Sequence, residues 1–161
     1  MLFTTAKLCD DYAEQPHFQI AEPMFKNFGG NNCFSGQITT LKVFEDNALV
    51  KQTLTEKVTQ KILVIDGGGS HRCALIDYEL AKLACENGWQ GIIIYGCIRN
   101  SVEIKELAIG IRALHAQPLK SHERGIGESG NTLTFAGVNF KQDHFLYADE
   151  DGIIVSETLL G

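Results

Sequence analysis

Two stretches of this chain have residue types and positions that could do chemistry. Asp66-Gly67-Gly68-Gly69-Ser70 follows the apolar residues 62–65, and Arg99 follows the apolar residues 92–95. A glycine-rich loop between a strand and a helix is typical of sites that bind a phosphate or a carboxylate at the helix N-terminus. An arginine can hold a carboxylate through two hydrogen bonds and can stabilise an enolate oxygen. The alternatives are a tight turn for the loop and a structural ion pair for Arg99.

The glycine-rich loop lacks the motifs of nucleotide-binding proteins. Arg72 occupies the position at which the dinucleotide fingerprint GxGxxG needs its third glycine, and no Gly-Lys-Ser/Thr follows as in a P-loop. The sequence therefore leaves two interpretations of the loop open, a carboxylate-binding loop and a tight turn packed at a subunit interface.

The histidines and cysteines do not form a metal-binding or catalytic pattern. The five histidines show no HxxxH or HxH spacing, the five cysteines show no CxxC spacing, and there is no GxSxG segment. Zinc coordination by imidazoles, a disulfide framework and a serine nucleophile are therefore not predicted. We expect cysteines such as Cys73, Cys85 and Cys97 to be small apolar residues of the interior in a reducing cytosol.

The charge balance of the chain is acidic. Fourteen lysines and arginines stand against twenty aspartates and glutamates, which gives a net charge of −6. Direct binding to nucleic acid is not expected, because it would need a basic stripe. Acidic clusters are either solvated faces or a docking surface for an arginine-rich partner. The clustered residues are Asp10, Asp11, Glu14 and Glu22, and then Asp149, Glu150 and Asp151.

The elements that would position the two reactive stretches follow from the apolar pattern. Residues 62–65 and 92–95 are continuous apolar runs, as expected of strands buried on both faces. The segment between them predicts a helix that starts at the glycine-rich loop and ends near Asn87, so the centre is a right-handed βαβ unit. Ligands of such sheets gather beyond the carboxyl ends of the strands. We therefore expect the loops at Asp66 and Arg99 to line one crevice.

The flanks of this central unit are rich in predicted strands. Helices are predicted at residues 4–15, from Asp46 or Asn47 to 57, and at 101–107; strands are predicted at 37–44, from 119 onward, and at 132–135, 138–140, 145–148 and 153–155. The pattern indicates a single α/β domain over residues 1–161. No signal peptide and no apolar run of roughly 20 residues is visible, so we expect a cytoplasmic protein without a membrane segment.

Several stretches spread over nearly the whole chain resemble, in order and spacing, the pattern of the RraA family. They are Glu22-Pro23-Met24-Phe25 with Asn27-Phe28-Gly29-Gly30, Val43-Phe44-Glu45-Asp46-Asn47, residues 64–70, Tyr95-Gly96 with Arg99, Gly125-Ile126-Gly127-Glu128, and Tyr147-Ala148-Asp149. The resemblance implies a swivelling β/β/α fold assembled as a ring-shaped homotrimer. It also implies inhibition of ribonuclease E through the enzyme's non-catalytic, arginine-rich scaffold region, for which no cofactor is required.

A homotrimer is favoured by a second feature of the sequence. Phe25, Phe28 and Phe34 lie in a glycine-rich segment that has no clear element of its own. Exposed aromatic side chains of this kind would need a partner surface.

The resemblance extends to the class II aldolases, which split 4-hydroxy-4-methyl-2-oxoglutarate to pyruvate and decarboxylate oxaloacetate with Mg²⁺ or Mn²⁺. Their Arg-Asp-x-x-Glu/Asp motif is here Arg99-Asn100-Ser101-Val102-Glu103. The resemblance assigns pyruvate binding to Arg99 and to Asp77-Tyr78-Glu79-Leu80, a segment that lacks the leading glycine of the aldolases. It assigns the metal to position 100.

Two departures from the aldolase pattern favour the inhibitor. Asn100 replaces the metal-binding aspartate, and Mg²⁺ prefers anionic oxygen ligands. Without the metal, Arg99 alone would have to stabilise the enolate. A bulky Asp77 or Tyr78 also restricts the approach of the backbone to a pyruvate carboxylate. We therefore predict a ribonuclease E inhibitor, with a metal-dependent aldolase or oxaloacetate decarboxylase as the alternative and a different small-molecule role third.

Overall fold

The computed structural model describes residues 2–161, which form four helices and twelve strands. The helices are α1 (Thr5–Tyr12), α2 (Ala48–Leu54), α3 (Tyr78–Glu86) and α4 (Ser101–Ile104). The strands are β1 (Phe18–Ile20), β2 (Lys26–Asn27), β3 (Phe34–Lys42), β4 (Lys61–Asp66), β5 (Ala74–Ile76), β6 (Trp89–Ile98), β7 (Gly110–Ala116), β8 (Glu128–Ser129), β9 (Leu133–Phe135), β10 (Val138–Phe140), β11 (Phe145–Asp149) and β12 (Gly152–Ser156).

Ten of these strands form one sheet. Their order is β1-β12-β11-β3-β4-β6-β7-β2, with β5 beside β6 and β8 beside β3. The central neighbours β3, β4, β6 and β7 run parallel, whereas β11 is antiparallel to both β3 and β12. The other two strands, β9 and β10, form a separate antiparallel hairpin. The parallel pairing of β4 with β6 confirms the strand pair that the sequence predicts at the centre.

The central strands are buried on both faces, because successive side chains of a strand point to opposite sides of a sheet. In β4, Leu63 and Ile65 pack in one core cluster with α2, α3 and α4. Ile62 and Val64 pack in another cluster with the β9–β10 hairpin. Helices therefore cover one face of the sheet and a hairpin covers the other, which confirms the expected β/β/α fold.

The helix between β4 and β6 is shorter than predicted. The prediction starts it at the glycine-rich loop, but residues 74–76 form β5, which pairs with the end of β6. The apolar side chains of this segment fit a buried strand as well as a helical stripe, and β6 runs on to Ile98 and offers β5 a partner. Asp77 then begins α3, since its backbone is extended and its Oδ1 accepts a hydrogen bond from Leu80 N at 2.9 Å.

The prediction also misses β7. This strand contains Gly110, Arg112 and His115, which hide the apolar pattern of a buried strand, yet it lies parallel to β6 inside the sheet. The strand predicted from residue 119 onward does not form. Leu119 is exposed, and the segment makes two isolated bridges, from Lys120 to Ala74 and from His122 to Asp46.

The remaining boundaries differ by a few residues. The sequence predicts Thr5 as the cap of α1, but the capping residue is Thr4, whose hydroxyl accepts a hydrogen bond from Lys7 N at 3.1 Å. Of the two caps predicted for α2, Asn47 is the N-cap residue but makes no capping hydrogen bond with its side chain, and Asp46 Oδ1 accepts from Ala48 N at 3.1 Å. The predicted helices extend too far at their ends, because α1, α2 and α4 stop at Tyr12, Leu54 and Ile104.

The phenylalanines that motivated the trimer prediction pack within the chain itself. Phe34 is buried over Gly91 and Gly110, where any side chain at either glycine would collide with the ring. Phe28 packs against the helix-side core, and Phe25 packs edge-on against Phe135 at 5.9 Å. These residues therefore do not call for a partner surface, and that argument for a trimer is wrong.

The cysteines follow their predicted role only in part. Cys73 and Cys97 are buried thiols, and burial raises the pKa of each. Cys85 and Cys9 are half-buried and Cys33 is exposed, and all five thiols are free. Separately, no helix within residues 2–161 is both long and apolar enough to cross a membrane.

Candidate functional site

The sheet brings together Asp77, Tyr78, Arg99 and Asn100, four of the residues that the sequence nominates. Strands β5 and β6 are parallel neighbours, and Arg99 N donates a hydrogen bond to Ile76 O at 2.9 Å. The residues that follow the two strand ends therefore lie side by side. We call these four residues the Arg99 cluster.

The Arg99 guanidinium is paired inside the chain. Its Nη2 lies 3.6 Å from Asp77 Oδ2, and its Nη1 donates a 3.4 Å hydrogen bond to Pro118 O. The side chain is 32% exposed, so the pair sits at the surface rather than in the core. The structural ion pair that the sequence left open is therefore present.

Asn100 binds a backbone amide of the same cluster. Its backbone is in the left-handed region, with φ 59°, which asparagine tolerates better than most residues. From there Oδ1 accepts a hydrogen bond from Tyr78 N at 3.0 Å. Since Asp77 Oδ1 already accepts from Leu80 N, two of the backbone donors at the start of α3 are satisfied by the chain itself.

The remaining nominated residues are placed less favourably for ligand contact. Leu80 is buried in the helix-side core, and Tyr78 packs half-buried against it. Glu79 and Glu103 are exposed on α3 and α4. Of the Asp77–Leu80 segment, the structure therefore exposes the Glu79 side chain and buries that of Leu80.

The donor set does not fit a divalent metal at position 100. The only side-chain oxygen of Asn100 accepts from Tyr78 N, and the nearby Asp77 carboxylate is shared between Arg99 and Leu80 N. Within residues 2–161 no three His, Cys, Asp or Glu side chains are grouped closely enough to hold a metal ion. Mg²⁺ and Mn²⁺ favour free anionic oxygens, which this cluster does not offer.

The glycine-rich loop is a tight turn. Gly67 N and Gly69 N both donate to Tyr95 O, at 3.0 and 3.1 Å, and Gly68 N donates to Asp66 Oδ1 at 2.9 Å. Gly68 and Gly69 have φ of +68° and +70°, which favours glycine. Because these amides already donate to Tyr95 O of β6 and to Asp66 Oδ1, they do not form a carboxylate-binding cradle.

The glycine-rich loop and Arg99 do not line one crevice, contrary to the prediction. Asp66 and Gly68 border a cleft of about 700 Å³ together with Phe44, Tyr95 and Ile126. Asp77 borders a different groove, of about 290 Å³. Strand β4 ends opposite Tyr95, and Arg99 lies four residues further along the chain, just past the end of β6, which places it roughly 13 Å beyond that level.

A family model for RraA-like proteins, described as Aldolase/RraA, matches residues 5–155 of this chain. The chain belongs to the RraA-like family. A relative from Methylococcus capsulatus (strain Bath), which carries the provisional name 4-hydroxy-4-methyl-2-oxoglutarate aldolase, is 59% identical over 160 residues, covering 99% of both chains.

Two solved structures of this family superpose closely. The RNA-processing inhibitor RraA from Thermus thermophilis has a TM-score of 0.95 and 41% identity, over 100% of this chain and 96% of that one. A Geobacillus kaustophilus protein named as an S-adenosylmethionine:2-dimethylmenaquinone methyltransferase has a TM-score of 0.95 and 42% identity, over 98% and 97% of the two chains. The three names differ, so similarity identifies the RraA-like family and its fold but not one activity.

Glu45 of this RraA-like chain holds the glycine-rich turn in place, a role that the sequence analysis missed. Its Oε2 accepts 2.6 Å hydrogen bonds from Ser70 Oγ and from Arg72 Nε. The bond from Arg72, followed by the bond from Ser70, lowers the pKa of Glu45. The sequence does single out Glu45, because the Val43–Asn47 stretch belongs to the RraA pattern. Its partners Ser70 and Arg72 lie over 20 residues further along the chain, so the contacts could not be predicted.

Asp46 holds the opposite wall of the same cleft. It is only 3% exposed, and its carboxylate accepts from Arg124 N, Gly125 N and Ile126 N at 2.8, 3.2 and 3.5 Å, besides capping α2 through Ala48 N. Burial opposes ionisation of this group, but the four backbone hydrogen bonds outweigh it and lower the pKa of Asp46. Glu45 and Asp46 thus anchor both loops that frame Phe44.

Asp149 is a structural residue rather than part of a solvated acidic face. Its carboxylate accepts from Thr5 N at 2.7 Å, from Thr5 Oγ1 at 2.6 Å and from Asp151 N at 2.9 Å. Burial alone would raise the pKa of Asp149, but these hydrogen bonds lower it. Glu150 and Asp151 are exposed, so only they remain available from this predicted cluster.

Proposed function

We propose that this chain is a protein regulator that inhibits ribonuclease E by binding the non-catalytic, arginine-rich scaffold region of that enzyme in the cytoplasm. One observation carries the proposal. The groups that would receive a substrate carboxylate, the Arg99 guanidinium and the donors at the start of α3, are already bound by Asp77 and Asn100.

An internal carboxylate is a strong competitor for a small substrate. A 2-oxo acid would have to displace Asp77 from Arg99, and Asp77 is held at the site by the chain, which gives it a high effective concentration. After displacement, the negative charge of Asp77 would also repel the carboxylate of the substrate. The Arg99–Asp77 pair therefore disfavours catalysis at Arg99, but it does not interfere with the binding of a partner protein elsewhere on the surface.

The surface charge suits such a partner. The net charge is −6, and exposed acidic residues of α1 and of the β11–β12 turn can attract a basic segment. A structurally similar relative is named as an RNA-processing inhibitor. Attraction of this kind speeds association and weakens as salt screens it.

We also propose that the working form is a homotrimer. The support now comes from the cleft beside the glycine-rich turn, where Phe44 is 57% and Ile126 is 67% exposed. Two large apolar side chains on adjacent loops, each loop anchored by a buried or paired carboxylate, form a preorganised patch that a second copy could cover. Light scattering should give three times the chain mass, and a monomer at micromolar concentration would refute the trimer.

A second candidate function is a metal-dependent 4-hydroxy-4-methyl-2-oxoglutarate aldolase or oxaloacetate decarboxylase. It is favoured by the position of Arg99, which lies partly exposed at a strand end with Glu103 on the following helix. The provisional name of the Methylococcus capsulatus relative also points to it. Asn100 weakens this candidate, because it supplies no free anionic oxygen.

One paired experiment separates the two functions. Purified chain is tested for capture of the ribonuclease E scaffold region and, in parallel, for pyruvate release with Mg²⁺ or Mn²⁺ present. The proposal requires capture and inhibition with negligible pyruvate release. Pyruvate release at ordinary enzyme rates without capture would replace it by the aldolase.

A further inference from the structure

Two histidines that lie far apart in the sequence meet at the surface beside the glycine-rich turn. His71 follows that turn directly, and His115 lies near the end of β7. Their ring centres are 6.2 Å apart, and the rings are inclined at 60°, so they are not stacked face to face. Both residues are exposed. Because no short motif joins these two positions, the sequence alone does not predict the pair.

Each ring of this pair is held through its Nδ1 atom. His71 Nδ1 lies 3.1 Å from Gly69 O, and His115 Nδ1 lies 2.8 Å from Ala116 O. When Nδ1 donates its hydrogen to a carbonyl, Nε2 carries the free lone pair. Ala116 N also lies 2.9 Å from His115 Nδ1, so a metal ion would select the tautomer of His115 in which Nδ1 is the donor. A backbone carbonyl on the second ring nitrogen is the arrangement that orients most metal-binding histidines.

The backbone that carries the two histidines is already fixed in the chain. Gln117 Nε2 donates to His71 O at 2.8 Å, and Gln117 Oε1 accepts from Leu119 N at 3.1 Å. One side chain therefore ties the segment after the glycine-rich turn to the segment after β7. His115 lies opposite Cys97 in the parallel pairing of β6 with β7. Only the two exposed side chains have to adjust when they share a ligand, which keeps the entropy cost of binding low.

The spacing and the surroundings of the pair suit a transition-metal cation. Zinc binds imidazole nitrogens at about 2.0–2.1 Å, so two imidazoles on one ion have ring centres roughly 5–6.5 Å apart. The observed 6.2 Å lies within this range. Arg72, the residue after His71, has its Nε 2.6 Å from Glu45 Oε2, which balances the nearest positive charge along the chain. Imidazole ligands favour Zn²⁺, Ni²⁺ or Cu²⁺, whereas Mg²⁺ requires oxygen ligands.

We propose that His71 and His115 together bind a divalent transition-metal ion, with Zn²⁺ as the probe, through their Nε2 atoms. The two imidazoles supply two ligands and water supplies the rest, because within residues 2–161 no third His, Cys, Asp or Glu side chain completes a metal-binding group. The bound ion cross-links the end of the glycine-rich turn to β7. This site differs in place and in ligand chemistry from the metal position of the aldolases, which falls on Asn100. It is therefore independent of the proposed function.

Isothermal titration calorimetry of the full, metal-free chain with Zn²⁺ tests the proposal. The exposed Cys33 thiol is a competing zinc ligand, so every titration uses a Cys33→Ser background. That background should bind one Zn²⁺ per chain. H71Q and H115Q should each weaken binding at least about ten-fold, because the loss of one imidazole removes chelation. The control H17Q/H144Q removes two histidines outside the pair and should change the affinity by less than about two-fold.

Thermal melting gives a second readout of the same site. Zn²⁺ at about one hundred times its dissociation constant should raise the melting temperature by about 5 °C, and Mg²⁺ should not. H71Q/H115Q should melt like the metal-free parent with or without Zn²⁺, because both side chains are exposed. Absence of saturable Zn²⁺ binding, equal affinity in H71Q/H115Q, or equal binding of Mg²⁺ would overturn the proposal. So would a loss of binding in H17Q/H144Q, because the ion would then lie elsewhere.

Discussion

The Arg99 cluster and the cleft beside the glycine-rich turn differ in what they leave exposed. In the cluster, the guanidinium and two helix-start amides are all paired with Asp77, Asn100 and Pro118 O. In the cleft, Phe44 is 57% and Ile126 is 67% exposed. A surface whose polar groups are satisfied internally has little free energy left for a ligand, whereas uncovered apolar surface retains it. Sequence motifs draw attention to the first region, but the physical chemistry favours the second.

Asp149 lies in neither of these regions, and its replacement should cause the greatest loss of stability. Asp149→Ala removes the acceptor of two hydrogen bonds that hold α1 and of one hydrogen bond within the β11–β12 turn, so the free energy of unfolding should fall by about 2–3 kcal/mol. Chemical denaturation measures this loss. The matched variant E150Q/D151N should stay within about 0.5 kcal/mol of wild type, because both residues are exposed. Equal losses in the two variants would contradict the structural role of Asp149.

The next effect would reopen the Arg99 cluster to metal. Asn100→Asp supplies an anionic oxygen and should raise Mg²⁺- or Mn²⁺-dependent oxaloacetate decarboxylation by about 10- to 100-fold over wild type. Asn100→Gly is the control, since glycine also accepts the left-handed backbone but brings no oxygen. A wild type that already decarboxylates at ordinary enzyme rates, with no change in N100D, would show that the cluster is not closed.

A smaller effect tests the internal carboxylate itself. Asp77→Asn keeps an oxygen for Leu80 N and removes the charge beside Arg99, so oxalate should bind about ten-fold tighter than to wild type in calorimetry. Adding Arg99→Ala to D77N should abolish the gain. If D77N binds oxalate no better than wild type, Asp77 is not the group that blocks the site.

The smallest effect concerns pH. The pKa of Asp149 and that of Asp46 are both lowered in the folded chain, so each carboxylate stabilises the fold above its unfolded pKa, near 3.8. That stability is lost as the pH falls through the folded values. Denaturation midpoints should therefore drop below about pH 4 in wild type, and less steeply in Asp149→Asn. An identical pH profile in that variant would remove Asp149 from the account.

The centre of the fold could be predicted from the sequence because its strands are continuous apolar runs. Residues 62–65 and 92–95 are apolar without interruption, and they form the paired interior of β4 and β6. Strand β7 could not be found this way, because Arg112 interrupts it. That arginine is buried through stacking on Phe34 and through hydrogen bonds to Asn32 O and Asp149 O, which are partners from distant parts of the chain.

The sequence nominates the residues that meet in the Arg99 cluster but does not predict how they pair. The motif around Arg99 and the segment at Asp77 were nominated from the sequence, and β5 and β6 bring them together. Their mutual pairing depends on β5, which reads as the first turns of a helix, and so the closed cluster could not be foreseen. The roles of Glu45 and Asp46 depend likewise on loops 25 and about 80 residues further along the chain.

On the proposed function, regulation uses the acidic surface and not the Arg99 cluster. Ribonuclease E cleavage of a fixed RNA should therefore be measured in the presence of wild type, Arg99→Ala and D10N/D11N/E14Q, each at matched concentration and with its oligomeric state checked by light scattering. Arg99→Ala should inhibit like wild type, and D10N/D11N/E14Q should inhibit about ten-fold less well at low salt, because the loss of exposed charges slows association. Loss of inhibition in Arg99→Ala, with the assembly intact and D10N/D11N/E14Q fully active, would overturn the proposed function.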